Sequence, residues 1–273
     1  MKKLYFSRKQ LCIPYSVFLV LFVFIPMLLI LVYAFTQEAA DGSLYFSFDN
    51  FLNFFTNSSK LQTLGVSVTV SFITTFFCLI IAYPVAYILA RSGWKHTYVL
   101  LMLFIMPMWL NFVLRITALR ELLNIMGFLG KYDYVNTVIG MVYDFLPFMI
   151  LPLYNSLQKL DQSLLEAAND LGAGDVHTFL HVTLPLSMPG ILSGITMVFM
   201  PSMTNYVVSE TLGNSNITIL GKMIEEYFST YDDMHMGSMI AIILLVIIFL
   251  TMLLSGGFKE NADETSSRGA NLW

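Results

Sequence analysis

The sequence predicts an all-α membrane protein with six transmembrane helices. Of its 273 residues, 57% are hydrophobic and 12% are charged, whereas about a quarter of the residues of a soluble domain are charged. The mean hydropathy is +0.72. The apolar residues lie in six runs, each close to the roughly 20 residues that a helix needs to cross a bilayer. The connections between these runs leave no room for a sizeable soluble domain, such as a nucleotide-binding one.

The first apolar run, at about 13–35, follows a basic segment, 1–12. A signal peptide is the competing interpretation, but the run is longer than a signal h-region and Tyr33–Thr36 is a poor cleavage site. We therefore expect it to be retained as the first span. The other spans are predicted at about 64–90, 97–119, 136–154, 188–208 and 237–254, and they complete a membrane domain over 13–254. The polar tail, 255–273, has the composition of a disordered segment.

The distribution of lysine and arginine predicts the orientation. With a cytoplasmic amino terminus, nine of these residues lie in inner segments and four in outer ones. The inner nine are Lys2, Lys3, Arg8, Lys9, Arg91, Lys95, Lys159, Lys259 and Arg268, and the outer four are Lys60, Arg120, Lys131 and Lys222. The positive-inside rule favours this arrangement over its inverse. Both termini and the polar loop 155–187 are therefore expected in the cytoplasm.

Two ionisable residues, Arg115 and Asp144, lie inside predicted spans. A charge at the centre of a membrane helix costs roughly 2.5–3.5 kcal/mol on insertion scales, so each needs an explanation. Pro107, Asn111 and Arg115 recur every four residues, which predicts one face of a continuous third span pointing into the protein. Arg115 and Asp144 can neutralise each other, or they can line a polar route for a solute. The two interpretations are compatible.

The predicted outer segments are acidic, with ten acids against the four bases, a net charge near −6. These acids are Glu38, Asp41, Asp49, Glu121, Asp133, Glu210, Glu225, Glu226, Asp232 and Asp233. Such a face concentrates cations, although an acidic surface can also serve solubility alone. Glu210, beside Asn205 and Tyr206 just past the fifth span, is the best single candidate for contact with a cationic solute.

Other kinds of chemistry find little support. No Gly-rich phosphate-binding loop of the Walker type occurs, and no catalytic cluster is recognisable at spanning depth, so we do not expect an enzyme. Cys12 and Cys78 are expected to be small hydrophobic residues rather than a disulfide. The four histidines lack zinc-ligand spacing with acidic partners, and no metal site is expected.

The polar stretch between the fourth and fifth spans predicts a helical hairpin. Good helix formers over 164–171 form a first short helix, and Gly172 suits the left-handed turn that ends it. Asp175 then caps a second helix that runs through His181 and ends near Pro185. Small residues on the surface of such a hairpin suit insertion into a groove of another protein.

The spacing in this stretch resembles a family motif. Glu166-Ala167-Ala168, three residues, Gly172, nine residues, Val182, one residue and Leu184-Pro185 resemble the EAA loop of ATP-binding-cassette (ABC) importer permeases. The one departure is Val182 in place of isoleucine. The resemblance implies a cytoplasmic coupling helix that docks into a partner ATPase. The coupling residues would be Glu166, Ala167, Ala168, Asp170, Gly172, Val182, Leu184 and Pro185.

Three further segments, 107–116, 146–154 and 160–190, are similar to the PotB type of spermidine/putrescine permease, and the one around Arg115 favours PotB over its PotC paralogue. The similarity covers most of the chain and is weakest over 36–60 and in the tail. It implies a type I importer (MetI-like) fold with a five-helix core in the bacterial cell membrane. It also implies a heterodimer with a PotC-like permease, two PotA-like ATPases that bind ATP and magnesium, and a PotD-like extracytoplasmic binding protein. No cofactor is then expected on this chain.

Two alternatives to a polyamine importer stay open. An ABC permease for another organic cation or a metal chelate would share the motif. A secondary carrier would use the hairpin only structurally, but it is expected to show inverted repeats with helices broken at midspan, which the sequence does not display. The candidate solute path comprises Asn111, Arg115, Asp144, Asn205, Tyr206 and Glu210.

Overall fold

The computed structural model describes residues 13–39, 42–214 and 216–254; the predicted segment 1–12 and tail 255–273 lie outside these ranges. Within them the regular elements are helices and one pair of strands. In chain order the elements are α1 (Ile13–Ala34), β1 (Thr36–Glu38), β2 (Leu44–Phe46), α2 (Asp49–Thr56), α3 (Ser58–Arg91), α4 (Thr97–Trp109), α5 (Phe112–Ile125), α6 (Asp133–Gln158), α7 (Gln162–Asp170), α8 (Asp175–Leu186), α9 (Met188–Thr204), α10 (Tyr206–Leu212), α11 (Leu220–Ser229) and α12 (Met234–Leu254). They form two compact units.

The first unit comprises the described residues up to Leu61 together with Met223–Val246. Strands β1 and β2 pair antiparallel, with Thr36 opposite Phe46. A cluster of stacked and edge-on phenylalanine rings lies beside the strands, namely Phe35, Phe46, Phe48 and Phe51. At the start of α12, His235 Nδ1 lies 3.1 Å from the Tyr33 carbonyl oxygen. These contacts tie the end of α1 to the start of α12.

The second unit, 62–222 and 247–254 among the described residues, is built around α6. In the most apolar stretch of α6, 61% of the residues are buried, against 6% in α1. Helix α6 is thus a core element. Helix α9 packs along it, and a side-chain carbon at Gly190 would lie 2.5 Å from Ser156 Cβ. Glycine at this position thus allows α9 and α6 to approach closely.

Among the described residues, four helices are long and apolar enough to cross a membrane, namely α1, α3, α6 and α12. Two further helix pairs are bent, α4 and α5 by 97° and α8 and α9 by 62°, so the count reaches six if each pair is one span. The segment predicted as the third span, 97–119, is therefore not one uninterrupted helix. Pro107 opens a 3-10 turn, Leu110 is extended and a new helix starts at Phe112. The predicted fifth span, 188–208, likewise breaks at Asn205.

Two π turns interrupt otherwise regular helices in the described part of the chain, and a proline follows the end of each at the second position. In α1 the N–H of Ile25 donates to Val20 O, ahead of Pro26. In α8 the N–H of Leu184 donates to Phe179 O, ahead of Pro185. A proline ring clashes with the carbonyl four residues earlier in a regular α-helix. The wider turn accommodates that clash, so the helix continues past the proline.

Candidate functional site

A buried ion pair lies at the centre of the second unit. Arg115 Nη2 donates to Asp144 Oδ1, and both side chains are only 6% exposed. The Arg115 guanidinium also lies 5.7 Å from the centre of the Tyr143 ring. Pairing, which the sequence left open, is thus observed. Buried charges need such additional partners because desolvation otherwise outweighs their mutual attraction.

The two helix breaks supply those partners. Arg115 Nη1 donates to the Pro107 carbonyl oxygen at 2.8 Å, from the turn that ends α4. Asn205 Nδ2 donates to Asp144 Oδ2 at 3.1 Å, from the break between α9 and α10. The Pro107 carbonyl oxygen also accepts the N–H of Leu110 at 3.2 Å, so it serves the turn and the guanidinium together. The ion pair is therefore held by the continuous helix α6 and by two interrupted segments.

Asn111 has a different place from the one predicted. It is exposed and caps α5, because its Oδ1 accepts hydrogen bonds from the N–H groups of Val113 and Leu114 at 3.0 and 3.3 Å. The predicted face of Pro107, Asn111 and Arg115 on one helix does not exist, since the chain turns between Pro107 and Asn111. Asn111 and Arg115 nevertheless line one groove of about 520 Å³ with Tyr143.

The remaining candidates, Tyr206 and Glu210, lie on α10 and meet a residue that the sequence reasoning missed. Lys222 Nζ is 3.5 Å from Glu210 Oε1 and 5.5 Å from the centre of the Tyr206 ring. Glu210 was predicted to contact a cation, and here a lysine of the same chain takes that place. Twelve residues separate the two in sequence, across a break, so no helical spacing indicates their contact.

Two contacts hold the backbone immediately before Lys222. The N–H of Leu220 donates to the buried Ser67 Oγ at 2.7 Å. A side chain at Gly221 would overlap the carbonyl group of Thr204. Glycine at this position thus lets α11 begin directly beside the break at Asn205. The contacts form two groups, Arg115–Asp144–Asn205 and Tyr206–Lys222–Glu210, which adjoin only through the backbone because Asn205 precedes Tyr206. We call these residues together the polar chain: Arg115, Asp144, Asn205, Tyr206, Glu210 and Lys222.

The second candidate site is the hairpin formed by α7 and α8. Asp161 caps α7, because its Oδ1 accepts a hydrogen bond from the Ser163 N–H at 2.9 Å, and this bond lowers the pKa of the carboxyl group. Gly172 has φ of +84°, which confirms the predicted left-handed turn. Thr178 Oγ1 donates to Asn169 Oδ1 at 3.3 Å and ties the two helices together.

The second helix of the hairpin differs in detail from the prediction. Gly174, not Asp175, occupies the capping position, and Asp175 is the first helical residue. The helix runs through His181 and ends at Leu186, near Pro185 as predicted, but Pro185 lies inside it because the π turn accommodates the proline. The first helix, Gln162–Asp170, begins two residues earlier than predicted and ends one residue earlier.

The tip of the hairpin exposes apolar side chains. Leu171 is 90% exposed and Val176 is 73% exposed. Within the motif, four residues are exposed beside or on the first helix and the turn, namely Glu166, Ala167, Asp170 and Gly172, and Pro185 is exposed at the far end. Ala168, Val182 and Leu184 are half-buried. Two large apolar side chains are thus exposed on either side of the turn of the hairpin.

Solved structures with a similar fold exist at low sequence identity. A bacterial alginate ABC transporter, crystallised with an alginate pentasaccharide-bound periplasmic protein, contains a chain that aligns with a TM-score of 0.72 at 12% identity, covering 93% of this chain and 94% of that one. A crystal structure of a bacterial ABC transporter for the import of alginate aligns with a TM-score of 0.66 at 13% identity, over the same shares. These likenesses show an ABC importer permease fold.

Relatives of known name are similar at higher identity. The spermidine/putrescine transport system permease protein PotB of Haemophilus influenzae is 36% identical over 90% of this chain and 91% of its own. The protein of the same name from Escherichia coli is 35% identical over 86% of this chain and 91% of its own. Residues 6–259 match the sequence family of binding-protein-dependent transport system inner membrane components. The chain belongs to this family of inner membrane transport components.

Proposed function

We propose that this chain is the PotB-like permease subunit of an ABC importer for polyamines, spermidine or putrescine. The observation that carries the proposal is the 35–36% identity, over 86–90% of the chain, to permeases named for that transport. The low-identity structural neighbours support the fold but not the substrate. As a permease the chain has no catalytic role, and ATP is hydrolysed by partner subunits.

The proposed topology has six spans with both termini in the cytoplasm. In it each bent pair contributes one crossing, and α9 crosses as the fifth span while α8 belongs to the cytoplasmic coupling loop, 155–187. The membrane domain then extends over 13–254, between a cytoplasmic segment, 1–12, and a cytoplasmic tail, 255–273. The distribution of lysine and arginine supports this arrangement.

The proposed complex contains four kinds of partner contact. A PotC-like permease forms the translocation path together with this chain as a heterodimer. Two PotA-like ATPases bind ATP and magnesium, and one of them receives the exposed tip of the hairpin, with Leu171 and Val176. A PotD-like binding protein delivers the polyamine from outside the membrane, and lipid surrounds the exposed apolar helices such as α1.

Coupling would run from the hairpin to the polar chain along α9. Helix α9 has 17 residues and is therefore about 25 Å long. It follows the hairpin after a single residue, Ser187, and ends at Thr204, directly before Asn205. Asn205 donates to Asp144. Closure of the ATPases that displaces the hairpin would thus shift one end of a rigid helix whose other end contacts the buried ion pair.

The polar chain would guide the cationic solute without covalent chemistry. Arg115 and Asp144 neutralise each other and leave no uncompensated charge at spanning depth. Glu210 and Tyr206 offer a carboxylate and an aromatic face, which both attract ammonium groups. Alternating access would expose this surface first to the binding protein and, after ATP hydrolysis, to the cytoplasm.

The test is a pull-down of the chain from detergent-solubilised membranes, followed by an ATPase assay with binding protein that is empty or loaded with spermidine. We expect an ATPase to co-purify and to be stimulated by the loaded binding protein. A co-purifying ATPase that is not stimulated by spermidine-loaded binding protein would support an importer but exclude polyamines as its substrate. Another organic cation or a metal chelate would then be the substrate. The absence of any ATPase would favour a secondary carrier.

A further inference from the structure

We infer that Lys222 is a specificity-determining residue whose own ammonium group occupies a polyamine subsite formed by Tyr206 and Glu210. The terminal ammonium of an arriving polyamine then displaces it. This inference rests on the proposed function. It adds that a lysine of the same chain competes with the polyamine for the subsite. The geometry on which it depends is the ammonium of Lys222, placed 3.5 Å from the Glu210 carboxylate and 5.5 Å from the Tyr206 ring centre.

The chemistry of Lys222 matches that of the solute. A lysine side chain is a primary ammonium on a flexible stem of four carbons. Putrescine is a flexible chain of methylene groups with a primary ammonium at each end. Either end therefore resembles the end of a lysine side chain. A carboxylate together with an aromatic face binds such a group through charge and cation–π attraction. A subsite that accommodates Lys222 therefore accommodates the end of a polyamine.

Exposure decides which ion pair can exchange its cation. The side chains of Lys222 and Glu210 are 24% and 47% exposed, so water screens the pair and its net attraction is small. Arg115 and Asp144, at 6% each, are held by further hydrogen bonds and cannot separate without leaving a buried charge unpaired. Exchange at Glu210 replaces one ammonium by another and leaves the number of charges at the subsite unchanged.

The anchored backbone keeps Lys222 within reach after displacement. Leu220 is bonded to Ser67, and Gly221 lies against the Thr204 carbonyl. A group attached nearby has a high effective concentration at its site. Lys222 thus returns as soon as the polyamine moves on, and between transport cycles it neutralises Glu210 and disfavours occupation by inorganic cations.

The experiment measures spermidine uptake into liposomes that contain the complete importer, at a subsaturating concentration of spermidine-loaded binding protein. Four variants are compared with the wild type: Lys222→Met, Lys222→Arg, Glu210→Gln and the double variant Glu210→Gln/Lys222→Met. Co-purification of the ATPase confirms that each complex is assembled. We expect Lys222→Met to raise uptake by up to about fivefold, the factor corresponding to an exposed ion pair.

The other variants distinguish two roles of Lys222: competition with the polyamine for Glu210, or an ion pair with Glu210 that only stabilises the structure. Lys222→Arg should lower uptake, because a guanidinium binds a carboxylate through two parallel hydrogen bonds and is harder to displace. Glu210→Gln should lower uptake by about fivefold, and the double variant should remain as low. Equal losses in Lys222→Met and Glu210→Gln, with recovery in the double variant, would overturn the inference alone. Wild-type complexes that import no polyamine would overturn both this inference and the proposed function.

Discussion

At the scale of single residues, burial separates ion pairs of similar composition. Arg115 and Asp144 are 6% exposed, and each has a second hydrogen-bond partner in a broken helix. Arg120 and Glu121, on the same helix as Arg115, are 40% and 58% exposed and 3.8 Å apart. Removal of one member of a buried pair leaves an uncompensated charge, whereas water replaces the lost partner at the surface. A substitution in the buried pair should therefore lower the stability of the protein more than a substitution in the exposed pair.

Asp144→Leu is expected to destabilise the protein by about 3–5 kcal/mol, because it leaves the Arg115 guanidinium buried without its counter-charge. The double variant Arg115→Met/Asp144→Leu should regain most of this loss, since apolar side chains of similar size replace the whole pair. The midpoint of thermal unfolding in detergent measures both. The control, Glu121→Gln in the exposed pair, should change the stability by less than about 0.5 kcal/mol. A double variant as unstable as Asp144→Leu would contradict the argument.

Gly172 offers a second prediction at this scale. Its φ of +84° lies in the left-handed region, which costs most side chains and β-branched ones above all, although no neighbouring atom lies within 4 Å of where a Cβ would be. Gly172→Val should therefore distort the turn of the hairpin and uncouple ATP hydrolysis from uptake, while the complex still assembles. Gly172→Asn is the control, because asparagine tolerates the left-handed conformation. Uptake and ATPase activity, measured on the same reconstituted complex, should stay coupled in Gly172→Asn. Normal coupling in Gly172→Val would argue against the role of the hairpin.

At the scale of elements, the sequence predicted helices and the hairpin well because these depend on local chemistry. Hydrophobic length predicted α1, α3, α6 and α12, and glycine chemistry predicted the turn at Gly172. Hydroxyl side chains of α3 lie on both its buried and its exposed faces, since Ser67, Ser71 and Thr74 are fully buried whereas Thr69 is exposed. Where neighbouring residues determine the conformation, the local sequence pattern is sufficient to predict it.

The two helix breaks were missed, yet the sequence carries a signal for them. Nine prolines occur in the chain, and only Pro107 and Pro201 are followed four residues later by asparagine, at Asn111 and Asn205. Proline weakens the helix, and asparagine favours the non-helical conformation that starts a new one. Helices α3 and α6 contain prolines without this partner and continue through them. Hydropathy alone cannot detect such a break, because the apolar run extends across it.

The contact between Lys222 and Glu210 was not predictable from local pattern. It depends on how α11 approaches the break, which is determined by the Leu220–Ser67 hydrogen bond and by the fit of Gly221 against Thr204. Ser67 and Leu220 are 153 residues apart. Tertiary packing of this kind leaves no periodic trace in the sequence.

The packing of α9 on α6 gives a prediction for a pair of helical glycines. Gly190→Ala should destabilise the protein by about 1–3 kcal/mol, because the added carbon would lie 2.5 Å from Ser156 Cβ and 2.8 Å from the Pro152 carbonyl oxygen. Gly65→Ala in α3 is the matched control, since nothing lies within 4 Å of its Cβ position. Alanine there should stabilise the helix by up to about 1 kcal/mol. Opposite shifts of the unfolding midpoint are expected, and equal shifts would exclude close packing as the cause.

At the scale of the whole molecule, the number of crossings determines which loops share a side of the membrane. The bent pair α4 and α5 either crosses or returns to the side from which it came, since its 97° bend is compatible with a broken span or a re-entrant loop. If it crosses, the hairpin and the loop after α3 lie on the same side. If it returns, α6 carries the hairpin to the opposite side. The positive-inside rule favours the crossing.

Single cysteines at exposed positions distinguish these topologies. In a background with Cys12 replaced by serine, Trp94→Cys, Ile125→Cys and Leu171→Cys place thiols at sites that are 57%, 83% and 90% exposed. Cys78 is fully buried and serves as an unlabelled internal control. A membrane-impermeant maleimide applied to oriented vesicles should label Trp94→Cys and Leu171→Cys from the cytoplasmic face and Ile125→Cys from the other. Labelling of Ile125→Cys together with Trp94→Cys, with Leu171→Cys on the opposite face, would make α4 and α5 a re-entrant pair. The hairpin would then lie outside, beyond the reach of a cytoplasmic ATPase, so this labelling pattern tests the coupling proposal as well as the number of spans.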